Sequence, residues 1–442
     1  MSLSGLDIYK LLPKTNCREC GFVTCLAYAM QLAKKAVALD KCPYLSEASR
    51  KMLEESSLPP IKLITVGAAE NKLEIGNETV LFRHEEKFHH PCGIGFLIED
   101  SLTDAGIKER LEKIKHLHFE RIGEELKPDL IALKQKSSSQ RFLQALKLVL
   151  ENTSFPLMLM SEEPFVLREA LAIAEKRRPL IYRATDENKK EIAALAKEFS
   201  CPLVASAHDL EHLSCLVMDL NKVGVSELVL EIQEKPLGDK IWDFTQLRRQ
   251  ALKKANRKFG YPVLSITACD GAYEEIMEAV TYMTKYAGIV ILKGIEPAGV
   301  LSLLTLRQNI YTDPQKPLQI EPKLYAIGHA FDKSPVLVTT NFSLTYYTVA
   351  GEVEASKIPS YILCVDTEGM SVLTAWAAEK FNAGKISDSL KKFAVEGTVG
   401  HRRLVIPGYV AVISGELEDQ SGWQVVVGPK EATGLPSFLK NL

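Results

Sequence analysis

Residues 179–205 read PLIYRATDENKKEIAALAKEFSCPLVA. Two short apolar runs, Pro179–Tyr182 and Pro202–Ala205, bracket the amphipathic stretch Lys189–Lys197. A short continuous apolar run is typical of a buried strand, whereas an amphipathic helix repeats its apolar residues about every 3.6 positions. The stretch therefore predicts a strand–helix–strand unit of a parallel sheet.

The same alternation of apolar runs and helical stretches extends from residue 92 to residue 312. The other six runs are Ile94–Ile98, Leu130–Leu133, Pro156–Met160, Glu227–Ile232, Pro262–Ile266 and Gly288–Leu292. Further helical stretches are Leu143–Leu150, Leu167–Ala174 and Tyr273–Tyr286. Eight strand–helix units predict a (β/α)8 barrel, the TIM-barrel fold, and an open doubly wound sheet is the alternative.

Residues 1–57 predict a small helical unit ahead of the barrel. Its helices are expected at Leu3–Leu12, Leu26–Leu39 and Leu45–Leu53, and Cys42-Pro43 follows the second. So short a segment cannot build a substantial core of its own, and a metal cluster would supply what the core lacks. Residues 58–91 are interpreted as a linker, with strand-like runs at Ile61–Val66 and Glu78–Arg83.

Residues 313–325 predict a second linker, and residues 326–442 a smaller open, Rossmann-like α/β domain. Its expected strands are Pro335–Thr339, Tyr361–Val365, Arg403–Ile406, Val410–Ile413 and Trp423–Val427, with helices at Val372–Phe381 and Ser387–Phe393. Ligands of such sheets bind at the carboxyl ends of the strands. The proline-containing segments 58–60 and 313–317 are candidate hinges between these units.

The overall composition excludes some partners. The net charge of −2 gives no general attraction to nucleic acid or to an anionic membrane. No apolar run reaches the roughly 20 residues that span a bilayer, and the N-terminus lacks a signal-peptide core, so we expect a cytoplasmic protein. A basic segment is interpreted as a solvated helix face: Arg248, Arg249, Lys253, Lys254, Arg257 and Lys258.

Four of the nine cysteines lie close together near the N-terminus, at Cys17, Cys20, Cys25 and Cys42. Their spacing, C-x2-C-x4-C-x16-C, offers the four thiolates that a [4Fe–4S] cluster needs. Structural zinc, whose sites usually show two short-spaced pairs, and free thiols remain alternatives. The scattered cysteines are interpreted as small buried apolar residues: Cys92, Cys201, Cys215, Cys269 and Cys364.

Three loops in the last domain follow predicted strands and are rich in hydroxyl side chains. They are residues 339–347, 367–374 and 428–434. Such loops can bind a large ligand through backbone N–H groups, although Ser and Thr at these positions are equally typical of helix caps. The sequence has no phosphate-binding G-x-x-x-x-G-K-[ST] motif and no G-x-G-x-x-G motif after a strand.

Taken along its whole length, the sequence resembles the large subunit of the corrinoid/iron–sulfur protein of the reductive acetyl-CoA pathway. The resemblance depends on Asn16–Cys25 with Cys42-Pro43, on Leu81–His84, on Lys285–Ala287, on Arg307–Gln315 and on the three C-terminal loops. It implies a [4Fe–4S] domain, a barrel that docks a partner and has no catalytic residues, and a corrinoid-binding domain.

The resemblance also implies which residues contact the corrinoid. These are Thr340, Tyr346, Met370, Ser371, Val372, Leu373 and Thr433, to which Thr374 and Gly434 are added. The motif D-x-H-x-x-G, whose histidine binds cobalt in many B12 domains, is absent from the sequence. This agrees with a family that binds a cobalt corrinoid of the cobalamin type with its base displaced and no protein ligand to the metal.

The implied function is that of a methyl carrier. A methyltransferase passes a methyl group from a methyl-tetrahydropterin to Co(I), methyl-Co(III) delivers it to acetyl-CoA synthase, and the cluster returns Co(II) to Co(I). The implied partners are a small subunit in a heterodimer, these two enzymes and a low-potential electron donor. The alternatives are a pterin methyltransferase with a catalytic barrel and an iron–sulfur electron-transfer subunit without corrinoid.

Overall fold

The computed structural model describes residues 5–34, 36–57 and 59–442. Leu3 and Ser4 of the first predicted helix, Lys35 within the second, and Leu58 of the predicted linker lie outside the described residues. The chain forms two compact units. One comprises the described residues up to Phe119 together with Leu126–Tyr311, and the other comprises Glu120–Glu125 and Thr312–Leu442.

The N-terminal segment contains three helices, α1 (Gly5–Leu11), α2 (Cys25–Ala33) and α3 (Glu47–Ser57), with a 3-10 turn at Leu39–Lys41. Thr24 caps α2, because its hydroxyl accepts a hydrogen bond from the Ala27 N–H at 3.1 Å. The segment has its own small apolar core, which includes Ile8, Leu12, Tyr28, Ala29, Leu45 and Leu53. The second helix is shorter than expected, since α2 ends at Ala33.

A hairpin of β1 (Ile64–Ala68) and β2 (Asn71–Ile75) follows, within the segment interpreted as a linker. The hairpin and the chain leading into it contact residues that precede barrel strands. The Arg178 backbone carbonyl accepts a hydrogen bond from the Gly67 N–H at 3.0 Å, and the Lys62 backbone N–H donates to the Gly260 carbonyl at 2.9 Å. This part of the chain therefore lies at the N-terminal end of the barrel. The expected strand at Glu78–Arg83 is wrong, since these residues form no strand.

Eight parallel strands close into a barrel, in the order β3-β6-β7-β8-β9-β10-β11-β12 with β12 paired to β3. The strands are β3 (Gly93–Glu99), β6 (Leu130–Lys134), β7 (Leu157–Met160), β8 (Leu180–Ala184), β9 (Leu203–Ala207), β10 (Leu228–Ile232), β11 (Val263–Ile266) and β12 (Ala287–Leu292). The prediction of a (β/α)8 barrel is confirmed, and the open sheet is excluded.

Helices surround the barrel: α4 (Asp104–Lys115), α5 (Ser139–Asn152), α6 (Pro164–Ile173), α7 (Lys189–Glu198), α8 (Leu210–Lys222), α9 (Leu237–Lys253), α10 (Ala272–Thr284) and α11 (Pro297–Tyr311). Between α4 and β6 lies a two-stranded hairpin that the sequence did not predict, β4 (Phe119–Arg121) and β5 (Glu124–Leu126). Strands such as β7 and β9 are buried at every position, as expected for a sheet covered on both faces.

The second unit is built on a five-stranded sheet in the order β13-β15-β14-β16-β17. Its strands are β13 (Leu324–Ile327), β14 (Val336–Thr340), β15 (Ser360–Val365), β16 (Arg403–Ile406) and β17 (Gln424–Val427). Its helices are α12 (Ser343–Ser356), α13 (Val372–Ala377), α14 (Ala383–Lys392), α15 (Val395–Thr398), α16 (Ser414–Ser421) and α17 (Leu435–Lys440). All strand pairs are parallel except β13 with β15.

Two expectations for this unit are wrong. Residues 410–413, expected as a strand, belong to the 3-10 helix Gly408–Ile413. The edge strand β13 begins inside the segment interpreted as a linker. In the described residues of the chain, no helix is both long enough and apolar enough to cross a membrane.

Candidate functional site

Cys17 and Cys20 lie on the loop between α1 and α2, and Cys25 is the first residue of α2. Asn16, Arg18 and Gly21 all have positive φ angles, which turn the backbone tightly. The Gly21 N–H donates to the Arg18 carbonyl at 2.9 Å, and the Cys25 N–H donates to the Asn16 side chain at 2.8 Å. The loop is thus folded back on the start of α2.

Tyr28 holds the fourth cysteine against this loop. Its hydroxyl lies 2.9 Å from the Ala38 carbonyl and 3.0 Å from the Leu39 carbonyl, just before Cys42. Burial raises the pKa of Tyr28 to about 12, and the thiols of Cys42 and Cys20 add to the effect. The hydroxyl therefore stays protonated near neutral pH and can donate to these carbonyls.

The four thiols lie near one another on the inner side of this segment. Cys25 and Cys42 are buried, Cys20 is half-buried and Cys17 is exposed. Burial raises the pKa of Cys42, and electrostatic repulsion from Cys20, Cys25 and Cys17 raises it further. Although all four are described residues, no three of their sulfur atoms lie mutually within 4.8 Å. The donor set is composed of sulfur alone.

A second candidate site is a cleft of about 390 Å³ in the five-stranded sheet. The chain leaves β14 for β15 on one side and later crosses to β16 on the other, which makes the carboxyl ends of β14 and β16 a topological switch point. Ligands of open α/β sheets bind at such points. The lining includes Thr339, Phe342, Leu344, Thr345, Ser371, Val372, Leu373, Pro407, Tyr409 and residues 428–432.

Three of the residues predicted to contact a cofactor line this cleft, namely Ser371, Val372 and Leu373. They form the start of α13, and Leu373 is 46% exposed, so its side chain is available to a ligand. The Thr374 hydroxyl lies 3.0 Å from that of Ser371, directly beside the cleft.

The remaining predicted residues lie near the cleft without lining it. Thr340 is fully buried at the end of β14, and Met370 packs on the core beneath α13. The Tyr346 ring packs against Tyr325, with ring centroids 4.6 Å apart. Thr433 and Gly434 follow the lining residue Ala432 in a 3-10 turn, Ala432–Gly434.

Asn341 fixes the loop that leads into α13. It is fully buried, and its side-chain oxygen accepts the N–H groups of Thr367 at 2.9 Å and Gly369 at 3.1 Å and the Thr367 hydroxyl at 3.0 Å. Its amide nitrogen donates to Gln319 at 3.0 Å. The position of α13, which forms one wall of the cleft, therefore depends on Asn341. This residue is not among the predicted contact residues.

The cleft has features of a site for a large, partly apolar ligand. The hydroxyls of Thr339 and Thr340 are buried and have no hydrogen-bond partner in the described structure, and Thr339 lines the cleft. Buried polar atoms are rarely left unpaired, so a ligand group is a natural partner for them. Leu344 and Tyr409 expose 48% and 43% of their surface at the same cleft.

Pro407 and Tyr409 are lining residues that the sequence did not indicate, whereas the lining residue Phe342 belongs to the indicated loop 339–347. The Tyr409 hydroxyl donates to the Glu431 carboxylate, which joins the loop after β16 to the loop after β17. Pro407 and Tyr409 fall between the two expected strands Arg403–Ile406 and Val410–Ile413, and this short connection was not singled out as a ligand loop. The 428–434 loop, in contrast, was indicated by its position after the last strand.

Two family models match the chain. The model described as "CO dehydrogenase/acetyl-CoA synthase delta subunit" matches residues 63–439. A second model, described as an "Fe-S cluster", matches residues 12–44, which include all four clustered cysteines. Together the two matches span both candidate sites.

The chain is similar over its whole length to characterised relatives. It is 46% identical to the "Corrinoid/iron-sulfur protein large subunit" of Moorella thermoacetica, with 100% of this chain and 99% of the relative covered. It is 37% identical to the "Acetyl-CoA decarbonylase/synthase complex subunit gamma" of Methanothermobacter thermautotrophicus, again with 100% and 99% covered.

Among solved structures, the chain is similar to a dihydropteroate synthase from Thermus thermophilus. The TM-score is 0.41 and the identity 15%, with 56% of this chain and 100% of the synthase covered.

Proposed function

This chain belongs to the family of CO dehydrogenase/acetyl-CoA synthase subunits that includes the corrinoid/iron–sulfur protein large subunits, and from that premise we propose that it is a corrinoid-dependent methyl carrier. The observation that carries the proposal is the pairing, in one chain, of a four-cysteine loop with an open cleft at a sheet switch point.

Cys17, Cys20, Cys25 and Cys42 are the proposed ligands of a [4Fe–4S] cluster. Four thiolates are the usual ligands of such a cluster. A tetrahedral zinc ion with Zn–S bonds of about 2.3 Å would need sulfur atoms about 3.8 Å apart. In the described residues, no three of these sulfur atoms lie mutually within 4.8 Å, so three of them are not brought to the spacing of a zinc site.

The proposed corrinoid site is the cleft at the ends of β14 and β16. Ser371, Val372 and Leu373 would contact one side of the ring, and the loop 428–434 would contact its edge. When bound, the corrinoid supplies a cobalt centre that can accept and release a methyl group, and the cluster supplies an electron.

The chain's own residues in this cleft orient and enclose the cofactor. The unpaired hydroxyl of Thr339, which lines the cleft, is suited to bond a polar group at the edge of the cofactor, and Leu344, Leu373 and Tyr409 exclude water from its face. No histidine is among the lining residues in the described part of the chain. The proposed corrinoid is base-off, without a protein ligand to the metal.

The proposed functional segments are residues 1–57 for the cluster, 92–312 for the barrel and 326–442 for the corrinoid, joined by segments 58–91 and 313–325. The proposed partners are a small subunit, a methyl-tetrahydropterin methyltransferase, acetyl-CoA synthase and an electron donor. Apolar side chains exposed at the cleft support a partner that covers it. The nine free cysteines are compatible with action in the reducing cytoplasm.

The test is anaerobic co-purification with the small subunit, followed by iron and cobalt analysis and visible spectra before and after a strong reductant. We expect about four irons and one cobalt per chain, with a corrinoid band that shifts on reduction. Cys20→Ala should lose iron and reductive reactivation yet keep cobalt. Iron without cobalt would leave an electron-transfer subunit, and methyl-pterin turnover without the methyltransferase would indicate a catalytic barrel.

A further inference from the structure

A cluster of metal-binding side chains lies at the C-terminal mouth of the barrel, on the segment that joins β9 to α8. β9 ends at Ala207, His208 and Asp209 follow, and His212 lies on the first turn of α8. Functional side chains of (β/α)8 barrels lie at this end of the strands. Within the described residues, no other three His, Cys, Asp or Glu ligand atoms lie mutually within 4.8 Å.

Both imidazole rings face the same carboxylate. His208 Nε2 lies 3.1 Å from Asp209 Oδ2, and His212 Nδ1 lies 2.9 Å from each Asp209 oxygen. Two ligand atoms bonded at about 2.1 Å to one metal ion stand about 3.0 Å apart at a right angle and about 3.4 Å apart at the tetrahedral angle. The imidazole–carboxylate distances lie close to these values, and the three ligand atoms all lie within 4.8 Å of one another.

Helix capping accounts for only part of this arrangement. Asp209 is the N-cap of α8, and its Oδ1 accepts the His212 N–H at 2.9 Å. Thr103 and Ser138 cap α4 and α5 through their hydroxyls in the same way. His208 takes no part in the cap, yet its ring lies 4.2 Å from that of His212, centroid to centroid.

The cluster is exposed to solvent, and the negative charges around it favour a bound cation. The side chains of His208 and His212 are 64% and 50% exposed, so water or a group from another molecule can complete the coordination. The carboxylates of Asp186 and Glu211 also act electrostatically on His212. Lys189 neutralises part of this negative charge, since it pairs with Asp186 at 3.2 Å.

We propose that His208, Asp209 and His212 bind one divalent transition-metal ion. Two imidazoles and one carboxylate suit zinc, nickel or copper, whereas magnesium and calcium prefer oxygen ligands alone. Three protein ligands leave at least one coordination position open. The site is independent of both the cysteine cluster and the corrinoid cleft.

The test is equilibrium dialysis of the full chain against zinc, compared between wild type and variants. Any zinc that the N-terminal cysteines bind is bound equally by the wild type and the variants. A difference in bound zinc between them therefore measures binding at the barrel site. Asp209→Asn retains a good N-cap while it removes the charged ligand. His116→Ala is the control, because His116 is an exposed histidine at the end of α4, outside the cluster.

We expect wild type and His116→Ala to bind one more zinc ion than His208→Ala/His212→Ala, and Asp209→Asn to bind it at least tenfold more weakly. Nickel X-ray absorption of the wild type should report nitrogen ligands that the double variant lacks. Equal zinc binding by wild type and the double variant, or an affinity that Asp209→Asn leaves unchanged, would overturn the three-ligand site.

Discussion

The Arg248 guanidinium lies 3.2 Å from the Glu78 carboxylate, and both side chains are buried. Glu78 also accepts the backbone N–H groups of His89 and His90, at 2.9 and 3.2 Å. The pair therefore fixes residues 78–90 to α9. The interpretation of the basic segment 248–258 as a solvated helix face is wrong at its first residue, because Arg248 packs between apolar neighbours of the barrel's outer layer.

Glu78→Ala should destabilise the barrel unit by about 3–5 kcal/mol, because it removes the carboxylate that pairs with the buried Arg248 charge, and the neutral Val80 carbonyl, 2.7 Å from the guanidinium, does not replace that charge. The measurement is urea unfolding followed by circular dichroism. Glu74→Ala is the matched control, since Glu74 pairs with Lys72 at 2.9 Å on an exposed surface and should cost at most about 1 kcal/mol. Equal losses in the two variants would contradict a structural role for the buried pair.

Tyr28→Phe should speed the loss of iron from the cysteine loop. The change removes the hydroxyl that donates to the Ala38 and Leu39 carbonyls, at a cost of about 0.5–1.5 kcal/mol for part-buried hydrogen bonds, which corresponds to roughly a two- to twelvefold effect. The rate is read from absorbance during exposure to an iron chelator. Tyr44→Phe removes an exposed hydrogen bond to Glu19 and should change the rate little. A slower or unchanged rate in Tyr28→Phe would argue against this role.

Asn341→Leu should lower cobalt retention. The variant leaves the N–H groups of Thr367 and Gly369 unpaired, and the loop before Ser371 loses its fixed conformation. Cobalt per chain after gel filtration is the readout. Gln319→Ala removes only the acceptor of the Asn341 amide and should have a smaller effect. If both variants retained cobalt as the wild type does, Asn341 would not position the cleft.

Thr345→Phe should fill the cleft and weaken corrinoid binding at least tenfold, about 1.4 kcal/mol, without changing the iron content. The affinity is measured by titration of the corrinoid-free heterodimer. Ala355→Phe adds the same ring to an exposed position of the same helix, α12, away from the cleft. Similar losses in both variants would place the corrinoid elsewhere.

The scattered cysteines should differ sharply in alkylation. Burial raises the pKa of Cys92 to about 12 and that of Cys201 to about 11, and only the thiolate reacts. At pH 8.5 we therefore expect both to stay unmodified in the folded chain, whereas exposed Cys215 reacts. Peptide mass spectrometry follows the modification, and unfolding in urea should make all three reactive. Early labelling of Cys92 would contradict its burial.

The barrel could be predicted because a strand that is buried on both faces is apolar at nearly every position. A run such as Leu157–Met160 is apolar throughout, and its neighbours in sequence form the covering helices. The edge strand β13 shows no such pattern, since its residues are half-buried or exposed. The apolar run at 410–413 resembled a strand, yet Pro407 and Gly408 begin a 3-10 helix there.

Some residues of the candidate site could be predicted from the sequence, and others could not. Ser371–Leu373 follow a strand and open a helix, a position where sequence alone indicates a ligand loop. Asn341 acts through backbone groups 26 and 28 residues away, and no local pattern reveals such a partner. Cys215 and Cys269, interpreted as buried, are exposed, because apolar neighbours in sequence do not fix which way one side chain on a helix or loop points.

The hairpin β4–β5 has a consequence for how the two units are joined. Its turn belongs to the second unit, where any side chain at Gly123 would collide with Tyr347, and Gly123 also has a positive φ. The polypeptide consequently passes between the units three times, at 119–120, 125–126 and 311–312. A break within the 313–317 segment therefore still leaves residues 120–125 of the second unit covalently joined to the first unit.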